Sequence, residues 1–321
     1  MALLDLSNEV AIGIDIGGTN TKFGLVNHRG EILKKGSIKT TAYGKVEDFI
    51  DELYNHIKTM VDVRPEVWVR GVGVGAPNAN YYRGTIEDAP NLNWKGVVPF
   101  AKLITEKFQK PCTITNDANA AALGEMMYGA ARGMRDFIMI TLGTGVGSGI
   151  ISNGQLIYGH DGFAGELGHT IVKPGGRRHW STDSEGSLEA YASASGISIT
   201  AKKLRAEFPS SMLNDFPEDE INSQTVFECA EKGDDIAKEV FRYTGQILGE
   251  ALANFVMFSS PEAILLFGGV IKAGDYILKP TKIHMEKNLL PIFRNKVKLV
   301  TSELNEADAA ILGASALVWE K

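Results

Sequence analysis

Hydrophobic and polar positions alternate sharply near the start of the chain. In "AIGIDIGGTNTKFGLV" (11–26), Ile12, Ile14 and Ile16 alternate with Gly13 and Asp15, and Phe23, Leu25 and Val26 are apolar again. This pattern predicts strand, break, strand. "EILKKGSIKT" (31–40) continues as a third strand. "VEDFIDELYNHIKTMV" (46–61) then changes period. Val46, Phe49, Ile50, Leu53, Tyr54, Ile57 and Val61 share one helical face. "VRGVGVGAPN" (69–78) reads as a strand whose alternate glycines allow close packing, ending at a tight turn. "APNLNWKGV" (89–97) reads as loop, and "PCTITNDANAAALGEMMYGAA" (111–131) as a short strand, a turn at Asn116 and Asp117, and an Ala-rich helix. A second glycine-interrupted strand pair follows (136–154), then a long helix (234–260), a buried strand ending in Gly268 and Gly269, and a closing helix (306–319). Strands alternating with helices predict an α/β protein.

One resemblance lies inside the chain. "IGIDIGGTNTKFGLVNHRGEI" and "IMITLGTGVGSGIISNGQL" share a strand, a Gly/Thr turn, a Gly-containing strand and a second turn with Gly. They stand 126 residues apart, Ile14 matching Ile140. Two such hairpins at half-chain spacing predict a duplicated core, with two similar domains facing each other.

Composition changes this picture little. Of 321 residues, 44% are apolar and 22% charged, enough for a sizeable core and about two domains. The net charge of -6, with Lys and Arg scattered, gives no footprint for nucleic acid. Cys112 and Cys229 lie far apart, which argues against a disulfide framework and fits a reducing cytoplasm. "MALLDLSNEV" lacks the basic start of a signal peptide, and no apolar run approaches the roughly 20 residues of a membrane span.

The turns carry the chemistry. Glycine turns aim backbone N–H groups inward, and such nests bind anions. Threonine hydroxyls add donors. Two nests on facing domains can hold a polyphosphate, with Gly17, Gly18 and Thr19 on one edge and Gly143, Thr144 and Gly145 on the other. Asp15 would repel a bare phosphate. It makes sense beside Mg²⁺, which keeps waters and bridges phosphates to one or two carboxylates. Lys22 reaches a phosphate or is a surface lysine. The chain has neither a P-loop nor a dinucleotide fingerprint ahead of a helix.

"DIGGTNTKFGLV", "GVGVGAPN", "NDANAAALGE", "ITLGTGVGSGII", "HDGFAGELGH", "GSLEAYAS" and "LLFGGVI" occur in this order. Together they resemble the ROK family of sugar kinases and sugar-responsive repressors, within the actin/hexokinase/Hsp70-like superfamily. The resemblance runs from about Ile12 to the closing helix. It implies two ribonuclease-H-like domains with a cleft between them. One is an N-terminal domain to residue 116 with the helix of about 306–321 packed back on it, and the other a larger domain over 117–305. It implies a homodimeric enzyme that phosphorylates a hexose, glucose first, with ATP and Mg²⁺. Asp117 then takes the proton of the attacking hydroxyl, although "ND" before a helix also reads as a cap. Asn116, Glu166, His169 and Glu189 would bind sugar hydroxyls, with Gly75 and Asn78 lining the same pocket, or forming an ordinary turn. Gly268 and Gly269 would let adenosine lie against the backbone.

The chain departs from the family at one place. Many members carry C-x-C-G-x-x-G-C-x-E after the G-E-L-G-H motif. Here "WSTDSEGSLE" (180–189) puts Trp180, Thr182 and Ser187 at the cysteine positions. His169 and His179 without thiolates make a poor structural zinc site. Packing of Trp180 and hydrogen bonds from Thr182, Asp183 and Ser187 are expected to order this segment instead. Two alternatives accompany the glucokinase reading. One is a kinase for fructose, mannose, allose or N-acetylmannosamine, with polyphosphate a possible donor. The other is a sugar-responsive repressor, disfavoured because the first hairpin begins near residue 11 and leaves no room for a helix-turn-helix.

Overall fold

The computed structural model describes residues 8–320. Residues 1–7 of the opening segment, and Lys321 after the closing helix, lie outside the described residues. In chain order the elements are β1 (Glu9–Ile16), β2 (Asn20–Asn27), β3 (Ile32–Lys39), α1 (Val46–Asp62), β4 (Trp68–Gly75), β5 (Ala79–Asn80), β6 (Thr85–Glu87), β7 (Val97–Val98), α2 (Phe100–Phe108), β8 (Cys112–Thr115) and α3 (Asp117–Tyr128). The chain continues with β9 (Phe137–Leu142), β10 (Val146–Ser152), β11 (Gln155–Leu156), α4 (Glu189–Ala192), α5 (Ala194–Glu207), α6 (Ser223–Glu231), α7 (Asp235–Ser259), β12 (Ala263–Phe267), α8 (Asp275–Asn288), β13 (Lys298–Thr301) and α9 (Glu306–Trp319).

The expected duplication is present in the sheets. One has the order β3-β2-β1-β4-β8 and the other β11-β10-β9-β12-β13. In the first, β1 pairs antiparallel with β2 and parallel with β4. In the second, β12 pairs parallel with both β9 and β13, and β10 antiparallel with β11. The short strands β5, β6 and β7 form a third sheet. β7 falls at the end of the stretch read as loop, where two valines suffice to add an edge.

The chain divides into two compact units. The first runs to Met134 and takes in Gly149–Gly165 and the chain from Ser302 onward. The second comprises Arg135–Ser148 and Glu166–Thr301. The first unit extends through α3, past the division expected at residue 116, because α3 is seated on α9. Gly124 meets Gly313 there so closely that a Cβ on Gly124 would lie 2.8 Å from the Gly313 Cα. α9 also lies on the sheet. A Cβ on Gly13 of β1 would come 2.2 Å from the Ile311 carbonyl oxygen, and one on Gly73 of β4 would come 1.9 Å from that of Ala314.

The opposite face of this sheet carries the apolar core. Phe23, Phe49, Leu53, Ile57, Phe100 and Ile104 are fully buried there with Ile12, Ile14 and Val74. Because β1 is covered on both faces, Val10 to Ile14 are buried without interruption, as a central strand requires.

Candidate active site

The first unit brings four of the sequence-predicted residues together. Asp15, near the end of β1, pairs with Lys22 across the hairpin and with Gly75 across the parallel ladder. A Cβ on Gly75 would lie 3.6 Å from the Asp117 Cα and 3.8 Å from Asp15 Oδ1. Gly75 thus lies beside both residues, with the Ala120 Cβ the nearest atom to such a Cβ at 3.3 Å. Burial and then the field of Asp117 push the Asp15 carboxyl up to about 6, with Lys22 opposing them. Asp117 is open to solvent on one side and crowded by protein on the others. That desolvation raises its carboxyl above the ordinary range, while the Ala118 N–H, donating to Oδ1 at 2.9 Å, pulls the other way.

Asp117 is the first residue of α3 and not its cap. The cap is Asn116, whose side-chain oxygen accepts the Asn119 N–H at 2.7 Å. The cap holds the helix start, and the acid beside it is left for other work. Asn78 adopts a left-handed φ of 49° and donates to the Glu87 carbonyl at 3.1 Å. The Gly17–Gly18–Thr19 turn is closed by the Gly17 N–H on the Asn20 carbonyl at 3.1 Å, and the Thr40 N–H on the Thr19 carbonyl at 2.9 Å ties it to the segment after β3. Lys22 is exposed.

In the second unit, Glu189 and the turn that carries Glu166 and His169 meet at Val146. The Gly143–Thr144–Gly145 turn joins β9 to β10, closed by the Gly143 N–H on the Gly145 carbonyl at 3.0 Å. Glu189, at the start of α4, reaches this turn. Its Oε2 accepts the Val146 N–H at 2.7 Å and would lie 2.5 Å from a Cβ on Gly145. The short 3₁₀ turn Leu167–His169 presses on the same residue, since a Cβ on Gly168 would come 2.1 Å from the Val146 carbonyl oxygen. Glu166 Oε2 and His169 Nε2 are 3.8 Å apart, both substantially exposed. Gly268 ends β12 with φ 107°, where a Cβ would strike the Leu142 carbonyl at 2.5 Å. Gly269 is open on that side and borders a small cleft with Gln224, Phe227 and Lys272.

The segment lacking the family's cysteines is ordered differently from expectation. Trp180 is 70% exposed and packs into no core, so the expected aromatic anchor is absent. The buried residue is its neighbour His179, at 2% exposure. His179 Nδ1 faces the Ser181 N–H at 3.3 Å and the hydroxyls of Ser181 and Thr182 at 3.1 and 3.2 Å. Its Nε2 lies 2.7 Å from Glu189 Oε1. The expected polar contacts are present around it. Thr182 pairs with Ser184 at 2.8 Å, Asp183 with Arg178 at 2.9 Å, and the buried Ser187 hydroxyl accepts the Ala190 N–H at 3.4 Å. Arg177 fixes the base of the segment, donating to the Ala190 and Gly196 carbonyls at 2.6 and 2.9 Å with its guanidinium over the Tyr191 ring. Sequence reading noted His179 only as a weak metal ligand. The signal it passed over was a histidine followed by two hydroxyl residues within a turn.

The two implied metals fare differently here. The zinc pattern does not fit, because thiolates are replaced by indole and hydroxyls and both His179 nitrogens face protein partners. A hydrated divalent cation is compatible with Asp15, an oxygen donor whose carboxyl is raised first by burial and then by the field of Asp117, so that a bound cation would offset both. Among the described residues no helix is long and apolar enough to cross a membrane.

Two mixed sheets of matching strand order, each opening on a strand with a glycine turn after it, define the two-domain actin-like ATPase fold. The ROK family model matches residues 11–321, and the chain belongs to that family. A glucokinase from Halalkalibacterium halodurans is 36% identical over 98% of this chain and 97% of its own length. A glucokinase from Thermotoga maritima is 33% identical over 97% of each. Among solved structures, a ROK family glucokinase from Streptomyces griseus in complex with glucose and AMPPNP is 32% identical. It superposes with a TM-score of 0.78 over 96% of this chain and 98% of the other.

Proposed function

We propose that this protein is an ATP-dependent hexokinase, acting on glucose at its 6-hydroxyl, with Asp117 as general base. The carrying observation is the carboxylate pair flanking Gly75. Asp117 stands at the head of α3 with one oxygen held by the Ala118 N–H, so the other oxygen is available to a hydroxyl. Its raised pKa makes it a stronger base than an ordinary aspartate. As the hydroxyl oxygen bonds to the γ-phosphorus, its proton passes to Asp117, and the bond to ADP breaks.

Asp15 would hold Mg²⁺ through water, and Gly17, Gly18, Thr19 and Lys22, and likewise Gly143, Thr144 and Gly145, would bind phosphate oxygens. The metal, when bound, neutralises charge developing on the transferred group. Gly268 and Gly269 would admit the adenosine. Asn116, Glu166, His169 and Glu189 would orient the hexose, with Gly75 and Asn78 beneath it. Carboxylates and imidazole suit neighbouring hydroxyls, and this positioning supplies much of the rate. We read the enzyme as a cytoplasmic homodimer.

The test is ADP release over glucose, mannose, fructose, allose and N-acetylmannosamine, with ATP or polyphosphate as donor. Glucose with ATP and Mg²⁺ is expected to be fastest, and comparable rates on several sugars would count against a dedicated glucokinase. Asp117→Ala is expected to retain glucose binding by calorimetry and lose about 10²–10⁴ in kcat. Near-normal turnover in that variant would remove the mechanism.

A further inference from the structure

We infer that His179 is a positioning residue that fixes Glu189 for the sugar, as a metal-free substitute for ligation at this segment. The inference rests on the hexokinase reading above. The tautomer of His179 follows from its partners. The Ser181 backbone N–H can only donate, so Nδ1 must accept and the ring proton sits on Nε2. That proton points at Glu189 Oε1, 2.7 Å away, in a place where the imidazole is 2% exposed. A buried hydrogen bond to a charged acceptor is among the stronger ones a protein makes.

Glu189 is thereby held from two directions, by His179 on Oε1 and by the Val146 N–H on Oε2. Each carboxylate oxygen has a second lone pair, so both can still accept a sugar hydroxyl. With the Val146 bond alone, the carboxylate could swing about that single contact. With both, its plane is set relative to the Gly143–Gly145 turn it touches. His169 lies beside this pair, its ring centroid 6.1 Å from that of His179 in an edge-on arrangement. His179 thus links the two histidine-bearing segments to a carboxylate that contacts the turn.

Two near-isosteric variants separate positioning from mere folding. In His179→Gln the amide nitrogen can take the place of Nε2 and still donate to Glu189. In His179→Asn the shorter amide can replace only Nδ1, preserving the Ser181 turn and losing Glu189. If His179 positions Glu189, H179N raises the glucose KM roughly tenfold or more while the ATP KM stays within about twofold. H179Q stays within about threefold of wild type for both. The double variant H179N/E189Q is then no worse for glucose than E189Q alone, because two groups acting through one contact are not additive. A glucose KM unchanged in H179N, a larger loss in H179Q than in H179N, or additive losses in the double variant would each overturn the inference. Absence of hexose turnover in the wild type would instead overturn the hexokinase reading, before any variant is made.

Discussion

Asp15 is held against its own charge. Its carboxyl is raised to about 6, above the ordinary aspartate value of 3.8, because burial and then Asp117 disfavour the anion. The folded state therefore holds this proton more tightly than the unfolded chain. Stability from this group is fully present below pH 4 and is lost as pH rises through 6. At neutral pH the cost is about 3 kcal/mol. Asp15→Asn is accordingly expected to melt a few degrees higher than wild type at pH 7.5, with the gap closing toward pH 4, by calorimetry without nucleotide. The same variant should lose most of its turnover. A D15N melt no higher than wild type at pH 7.5 would mean that the acid is not strained. Asp15 was legible in the sequence because one acid among apolar and glycine residues has few structural uses. The role of Asn116 as cap was less legible, since Asn and Asp at adjacent positions are equally good caps and only the backbone decides between them. His179 was illegible as a fixing residue, because its partner Glu189 lies ten positions on and the contact is tertiary.

Among the elements, α9 does most to hold the first unit's site in place. It touches β1 and β4 through Gly13 and Gly73, and it supports α3, whose first residue is Asp117, through Gly124 and Gly313. Each contact is backbone against backbone, with no side chain able to yield. Gly73→Ala would drive a methyl to within 1.9 Å of the Ala314 carbonyl. It is expected to destabilise the protein by about 3 kcal/mol or more, read by urea denaturation. Gly143→Ala is the control, since nothing lies within 4 Å of a Cβ there, and its effect on stability should be within about 0.5–1 kcal/mol. The alternate glycines of "VRGVGVG" made this close approach readable in advance. Other elements gave no such sign. α8 contains Pro280, which would ordinarily end a helix, but it packs on α7 where Gly245 and Gly249 leave room for its backbone. α5 mixes Ile and Thr with lysines and shows only a weak apolar stripe, so its helical state depends on the Ser193 cap and on tertiary burial.

Across the whole molecule, the duplication is the feature most plainly written in the sequence, and the chemistry lies in its asymmetry. At the 126-residue offset Asp15 corresponds to Thr141, whose hydroxyl accepts the Gly147 N–H at 3.1 Å. One copy thus carries an acid at the strand end and the other a neutral hydroxyl that closes its own hairpin. The boundaries of the units were harder to read, because the first is assembled from three separated segments. Removing residues 303–321 is expected to abolish cooperative melting of the first unit and leave an insoluble chain. A soluble truncated protein with native near-ultraviolet dichroism would contradict this.

That α9 seals β1 and β4 also sets a schedule for biosynthesis. β1 and β4 emerge from the ribosome about 290 and 230 residues before the helix that covers one of their faces. Throughout that interval Gly13, Gly73 and their apolar neighbours present a bare sheet face, a target for chaperones and a hazard for aggregation. A nascent chain stalled before α9 therefore cannot complete the seat beneath Asp117, and the acid becomes properly placed only once that helix has been made.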